Sequence, residues 1–150
     1  MTPAARGATV RAMDKKFEEI DHSGDVGIEA FGVDGAEALE NATYGLFSLM
    51  VYRGVSAKLE RVLTVDAGSD EDMVVDWLSE VIAAASMNGE LYCGVQIEQT
   101  GPHSVRGVVR GELIEASRHE LRFDVKAATY HGLEFERTGG GCRVRVIFDL

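Results

Sequence analysis

Residues 69–89 read SDEDMVVDWLSEVIAAASMNG and contain the clearest structural pattern in the chain. Apolar residues recur there at helical spacing, at positions Val74, Trp77, Leu78, Val81, Ile82 and Ala85. Ser69 can cap the start of this helix with Asp72 at its third position, and Gly89 can end it. The stretch therefore predicts an amphipathic helix whose apolar face must pack on other elements.

The residues before this helix predict two strands, a first helix and a third strand. Residues 17–20 and 26–33 are strand candidates joined by turn chemistry. Asp34, followed three residues later by Glu37, resembles a capping box and predicts a helix to about Met50. A third strand is expected over residues 59–65, between the two helices.

After Gly89 the apolar period changes from helical to two, which is typical of strands. The predicted strands are marked by Leu91, Cys93, Val95 and Ile97, by residues 105–113, by Leu133 and Phe135, and by Cys142, Val144, Val146 and Phe148. Turn-rich joints at residues 99–103 and 138–141 favour antiparallel hairpins. The pattern predicts an α+β fold, a single domain with two helices packed on a mixed, largely antiparallel β-sheet.

The 150 residues suit one globular domain, expected over residues 17–150 after a flexible leader at residues 1–16. The longest unbroken apolar run, residues 81–85, is too short to span a membrane, so no membrane association is expected. The two cysteines are too few for a disulfide scaffold, which favours a reducing, cytoplasmic compartment.

The net charge of -10 argues against a protein that binds nucleic acid directly by neutralising phosphates. Residues 17–98 carry 17 acidic and 3 basic side chains, so the acidic charge is concentrated there. Such a surface favours cations or a basic protein partner, although ordinary solubility charge explains it equally well. No glycine-rich phosphate loop, HExxH, GxSxG or paired CxxC motif is present, and Cys93 is interpreted as a small core residue of its strand.

Two distant segments carry carboxylates that could bind a metal. Residues 22–28, HSGDVGI, place Asp25 between glycines, where the backbone can approach a ligand closely. The sequence ends with Asp149 beside the α-carboxylate of Leu150. Three carboxylates brought together would favour a hard cation such as Ca²⁺ or Mg²⁺, whereas solvated turn and terminal groups are the commoner explanation of such residues.

Residues 118–133, RHELRFDVKAATYHGL, combine strand-like alternation with functional side chains. A strand register would send Lys126 and Tyr130 to one side and His131 to the other. The alternative is an ordinary sheet edge, with Tyr130 as a hydrogen-bonded boundary residue.

Four segments in this order resemble the archease family. They are residues 22–28, close to the family's HTADVGI, residues 75–80 (VDWLSE), residues 119–133 (HEL to VKAATYHGL) and residues 144–150 (VRVIFDL). The resemblance covers residues 17–150. The segment 82–84 is smaller than the bulky apolar run usual in the family, which bears on helix packing or on a surface that faces a partner.

The resemblance implies a non-catalytic accessory protein of tRNA splicing and RNA repair. It would activate a GTP-dependent RNA ligase, promote guanylylation and turnover of that enzyme, and contact RNA only indirectly, with no small-molecule substrate. A divalent metal, calcium in the family, with Mg²⁺ or Mn²⁺ as alternatives, would be held by Asp25, Asp149 and Leu150. Lys126 and His22 are the residues expected to face the partner.

Two other functions remain open from the sequence. One is a chaperone-like modulator of nucleic-acid-modifying proteins such as methyltransferases, which is also suggested for this family. The other is a metal-dependent hydrolase built on Asp25 and Asp149 with His22 as base, but the sequence offers neither a second metal-binding carboxylate motif nor a nucleophile.

Overall fold

The computed structural model describes residues 16–22 and 24–150, with His22 described through its backbone. The leader predicted for residues 1–16 lies outside the described residues except for Lys16, whose carbonyl accepts a hydrogen bond from the Phe31 N–H at 3.0 Å. Within the described part of the chain, no helix is long and apolar enough to cross a membrane.

The first helix, α1, covers Gly35–Met50 and begins at the predicted cap. The Asp34 side chain accepts a hydrogen bond from the Glu37 N–H at 2.8 Å. The Glu37 carboxylate in turn accepts from the Val33 N–H at 2.8 Å, one residue earlier than in the usual capping box. The two carboxylates thus satisfy backbone donors on both sides of the helix start.

The second helix, α2, covers Asp70–Asn88 and confirms the prediction from residues 69–89. The Ser69 hydroxyl accepts a hydrogen bond from the Asp72 N–H at 3.1 Å. Gly89 ends the helix with a φ of 63°, a left-handed conformation that glycine adopts without a Cβ penalty.

The described residues form strands that belong to two sheets. They are β1 (Phe17–His22), β2 (Asp25–Gly32), β3 (Leu59–Asp66), β4 (Glu90–Gly101), β5 (Ser104–Leu113), β6 (Ala127–Ala128), β7 (Glu134–Thr138) and β8 (Gly141–Asp149). The larger sheet has the order β1-β2-β8-β6, with β7 also paired to β8, and the smaller has the order β3-β5-β4. All of these pairings are antiparallel. The predicted α+β class, with two helices on largely antiparallel strands, is confirmed, and the strands divide into two sheets.

Cys93 is exposed, so its interpretation as a core residue was wrong. Tyr92 pairs with Gly111 and Gly94 pairs with Arg110, which leaves Cys93 as the extra residue of a β-bulge. The bulge shifts the alternation by one position, and Tyr92 becomes the buried residue instead.

The core centres on Trp77 of α2, which is fully buried. Its indole N–H donates a hydrogen bond to the Thr43 hydroxyl of α1 at 2.9 Å. A Cβ at Gly107 of β5 would lie 2.3 Å from the indole ring, so only glycine allows the ring to rest on this strand. Trp77 therefore ties α2 to α1 and to the smaller sheet at once.

The helices connect the two sheets. α1 packs against β2 and β8 of the larger sheet and against β4 of the smaller one. The Ile28 side chain of β2 fills the space that a Cβ at Gly45 of α1 would need. α2 packs on all three strands of the smaller sheet and also on β6 and β7 of the larger one.

Thr43→Val should destabilise the protein by about 1–3 kcal/mol, because the buried Trp77 N–H loses its acceptor. Valine has nearly the shape of threonine, so the packing at position 43 is kept. Urea unfolding followed by tryptophan fluorescence measures this change. Thr64→Val, on an exposed position of β3, is the control and should change the free energy of unfolding by less than about 0.5 kcal/mol. Equal effects of the two substitutions would contradict the assigned role of the hydrogen bond.

Candidate functional site

Two of the predicted metal ligands lie at the same end of the larger sheet. Val26 of β2 is paired with Phe148 of β8. Continued by one step along both strands, this register would set Asp25 opposite Asp149. Directly opposed residues of an antiparallel pair point to the same face of a sheet, so the two carboxylates belong to one face. The strand register thus brings together residues that lie at opposite ends of the sequence.

The β1–β2 hairpin positions Asp25. His22 is the last residue of β1 and pairs with Asp25, the first residue of β2. Gly24 in the turn has a φ of 90°, which favours glycine and explains the tight connection. The backbone of His22 therefore lies at this sheet end, while its side chain lies outside the described part, and its partner-binding role stays a prediction.

Lys126 lies beside the last residues of the chain. Its N–H donates a hydrogen bond to the Asp149 carbonyl at 2.8 Å, and the neighbouring Ala127 pairs with Asp149. The Lys126 ammonium donates to the Asp124 carboxylate at 2.6 Å, and its side chain remains 61% exposed. The sheet end therefore combines Asp25, Asp149 and an accessible lysine.

The strand predicted from the alternation over residues 118–133 is mostly absent. Only Ala127–Ala128 forms a strand there, so the register inferred for Tyr130 and His131 was wrong. The reason is that this segment divides its backbone hydrogen bonds between two partners. The Arg122 N–H donates to a carbonyl near the end of α1, whereas the segment after Val125 bonds to β8.

Tyr130 is a hydrogen-bonded boundary residue, as predicted by the alternative that made residues 118–133 an ordinary sheet edge. Its hydroxyl donates to the Asp72 carboxylate of α2 at 2.5 Å. This hydrogen bond, together with burial, raises the pKa of Tyr130 to about 12. Tyr130 thus binds α2, whereas the Lys126 ammonium binds Asp124.

The donors at the sheet end suit a hard divalent cation. Ca²⁺ and Mg²⁺ prefer oxygen ligands, which Asp25 and Asp149 supply. Among residues 16–22 and 24–150, however, no group of three or more His, Cys, Asp and Glu side chains could hold a metal ion. A site there needs a donor of another kind, and the α-carboxylate predicted at Leu150 is chemically suitable.

A buried charged network, absent from the sequence predictions, supports the residues after β5. Glu112 is buried and forms an ion pair with Arg118. Its carboxylate also accepts from the Ser56 N–H at 2.6 Å and contacts the His119 ring at 3.1 Å. The Arg118 hydrogen bonds, followed by the one from Ser56, hold the pKa of Glu112 well below its ordinary value of 4.5.

His119 completes this network from a fully buried position. Its Nδ1 accepts a hydrogen bond from the Glu115 N–H at 2.9 Å, so the proton on Nε2 is the one that faces Glu112. Glu112 alone gives no sign of the network, because a glutamate in a strand is ordinary. The signal in the sequence was the HEL motif at residues 119–121, which contains His119. The network fixes the start of the segment that leads to Lys126.

An apolar groove of about 710 Å³ lies between α2 and the segment that the network supports. We call it the α2 groove. Its apolar lining comes from Met50, Ile82, Ala83, Met87, Leu91, Ile114, Leu121, Phe123 and Val125. Lys126 and Ala127 also line it, which connects the groove to the sheet end that holds Asp149.

These features define the chain as an α+β domain with an acidic sheet end and an adjoining apolar groove. A family model, that of the Archease protein family, matches residues 17–150. The chain belongs to the archease family.

Individual relatives agree with this assignment. An archease of Methanosarcina mazei is 30% identical over 141 residues, covering 91% of this chain and 97% of the relative. The solved structure of protein 1598 of Methanobacterium thermoautotrophicum is similar with a TM-score of 0.74 and 30% identity, over 90% of this chain and 99% of that one. A Thermotoga maritima structure, described as an archease and possible chaperone, has a TM-score of 0.63 and 25% identity, over 94% and 100% of the two chains.

The lowered pKa of Glu112 means that its carboxylate stabilises the folded state above the ordinary pKa, and that this contribution is lost as the pH falls below it. Glu112→Gln should therefore lower the Tm at about pH 7, and should reduce the loss of Tm between about pH 7 and pH 3 relative to the wild type. Thermal unfolding followed by circular dichroism measures both effects.

Glu98→Gln is the matched control for this experiment, because Glu98 is exposed on β4. It should leave the Tm at about pH 7 unchanged within about 2 °C. A Glu112→Gln protein as stable as this control at neutral pH would show that the network does not stabilise the fold.

Proposed function

We propose that this archease-family protein is a non-catalytic activator of a GTP-dependent RNA ligase in tRNA splicing and RNA repair. It would promote guanylylation and turnover of the ligase in the cytoplasm. A divalent metal, Ca²⁺ in the first instance with Mg²⁺ or Mn²⁺ as alternatives, would be held by Asp25, Asp149 and the α-carboxylate of Leu150. Family membership supports the class of function, and the arrangement of the sheet end supports the site.

The observation that carries the proposal is the pairing of Val26 with Phe148, because this register of β2 and β8, continued by one step, sets Asp25 opposite Asp149. The Lys126 N–H donates a hydrogen bond to the Asp149 carbonyl, so the backbone of an exposed lysine lies beside Asp149. Two like charges held on neighbouring strands repel, so a cation that binds both would lower the free energy of this sheet end. When bound, the metal would supply a hard Lewis acid at a surface that a partner can reach.

The charge of the chain supports a protein partner over direct RNA binding. With a net charge of -10, the surface repels phosphates and attracts basic proteins. An enzyme that binds RNA must present Lys and Arg to it, so its surface has the complementary sign. In this proposal the chain contributes placement of charged groups at the ligase, and the RNA is contacted by the ligase.

Asp25→Asn and Asp149→Asn should each reduce stimulation of ligase guanylylation by about tenfold or more at limiting metal, because each keeps the side-chain size but removes an anionic ligand. The assay follows covalent GMP on the ligase with and without this protein. Glu98→Gln removes one charge from an exposed position of β4 and should stimulate like the wild type. Full stimulation by both aspartate variants would refute the proposed site.

The ligand assigned to Leu150 has a separate test. A short Gly-Ser tail after Leu150 converts the α-carboxylate into an amide and should weaken Ca²⁺ binding, as measured by isothermal titration calorimetry. A tailed protein that retains the wild-type Ca²⁺ affinity would exclude this carboxylate as a ligand, and would leave Asp25 and Asp149 as the candidates.

A chaperone-like modulator of nucleic-acid-modifying proteins, such as methyltransferases, is the second candidate function. Two observations favour it: the description of the Thermotoga maritima relative as a possible chaperone, and the exposed apolar side chains of the α2 groove. Apolar surface of this kind can bind partly unfolded proteins.

Light scattering separates the two candidates. An activator of one ligase should leave the heat-induced aggregation of an unrelated methyltransferase unchanged at equimolar ratio, with or without Ca²⁺. Suppression of that aggregation without any need for metal, in a preparation that fails to stimulate the ligase, would favour the chaperone-like function.

A further inference from the structure

The α2 groove lies where α2 faces the segment before β6, and several of the side chains that α2 presents there are small. Ser79, Ala83 and Ser86 line the α2 side of the groove together with the larger Ile82 and Met87. Leu121 and Phe123 line the opposite side. The small residues of α2 leave space that the large residues of the other wall do not fill, so the groove is part of the packing of the fold.

Apolar side chains in and beside this groove are open to solvent. Met87 is 83% exposed and Leu121 is 53% exposed, and Ile114 is exposed as well. These three residues come from α2, from the segment after β5 and from the segment before β6, yet they line one groove. A contiguous apolar surface assembled from separate elements is typical of a binding site for another protein.

The charges around the groove determine which net charge a bound partner segment should carry. Asp76 and Glu80 are exposed and share a face of α2 with Ala83, because residues three and four apart in a helix are neighbours. The cations that line the groove are already paired: Lys126 binds Asp124, and Arg122 binds Glu19. The charge available to an incoming segment is therefore negative.

We infer that the α2 groove binds an amphipathic segment of the RNA ligase that carries apolar side chains on one face and Lys or Arg beside them. The apolar side chains would cover Leu121 and Met87, and the basic ones would meet Glu80 and Asp76. The groove ends at Lys126 and Ala127, next to Asp149, so a segment bound there leads towards the sheet end. This inference rests on the proposed function and adds a second contact surface to it.

Binding of the full-length ligase to the full chain, measured by biolayer interferometry, tests the inference. Leu121→Asp and Ala83→Arg should each raise the Kd by about tenfold or more, because a charge or a large side chain would block the apolar contact. Glu80→Lys should raise the Kd by about threefold to tenfold at low salt and by less at high salt.

Val62→Asp is the matched control. Val62 is 53% exposed, as Leu121 is, but lies on β3 of the smaller sheet and does not line the groove. The ligase should bind this variant with the wild-type Kd, within about threefold. Thermal unfolding of each variant verifies that it is folded, and Ala83→Arg on the exposed face of α2 replaces Leu121→Asp if that variant does not fold.

Failure of this inference and failure of the proposed function give different results. If wild-type protein neither binds nor stimulates the ligase, the proposed function is wrong and the inference falls with it. If wild-type protein binds and stimulates while the groove variants bind equally well, the proposed function stands and the groove inference is overturned. A dimer in analytical ultracentrifugation that Leu121→Asp converts to monomer would assign the groove to a second copy and overturn it too.

Discussion

The Trp77 indole packs directly on Gly107, and this contact sets the arrangement of the helices and the two sheets. The indole ring lies where a Cβ of β5 would be, and its N–H is bound by Thr43 of α1. This double anchor fixes α2 against the smaller sheet and against α1, and α1 in turn packs on the larger sheet. The direction of α2 then determines one wall of the α2 groove and the position of Asp72, which holds Tyr130.

The pairing of β2 with β8 is the second constraint, because it joins the beginning and the end of the domain. Residues near both ends of the described chain become neighbours on one sheet, and Lys126, just before β6, lies beside them. The proposed metal ligands, the exposed lysine and one end of the groove therefore occupy one region. An accessory protein that acts by positioning charged groups at its partner requires that these groups lie close together on a rigid fold.

Local patterns predicted the elements well. The caps at Asp34 and Ser69 and the helical period around Trp77 predicted both helices, since capping and periodicity are short-range properties. The alternation failed at Cys93, because a β-bulge depends on the pairing of two strands and not on one strand's sequence. It failed again over residues 118–133, where the backbone bonds two different elements in turn.

The site was predictable only in part. The residue types and spacing around Asp25 and Asp149 suggested metal ligands, but their proximity depends on a long-range strand register that no local pattern contains. The Glu112 network and the α2 groove were not predicted at all. Both the network and the groove bring together side chains from segments that are distant in the sequence. None of these residues, taken alone, marks a functional site in the sequence.

In the proposed function, Asp25 and Asp149 act together in one metal site. Calcium affinity of the wild type, Asp25→Asn, Asp149→Asn and the double variant, measured by isothermal titration calorimetry, tests it most directly. Each single substitution should weaken binding by about tenfold or more, and the double variant should be weakened by much less than the product of the two single effects. Wild-type affinity in either single variant, or effects that multiply fully in the double variant, would contradict a shared site.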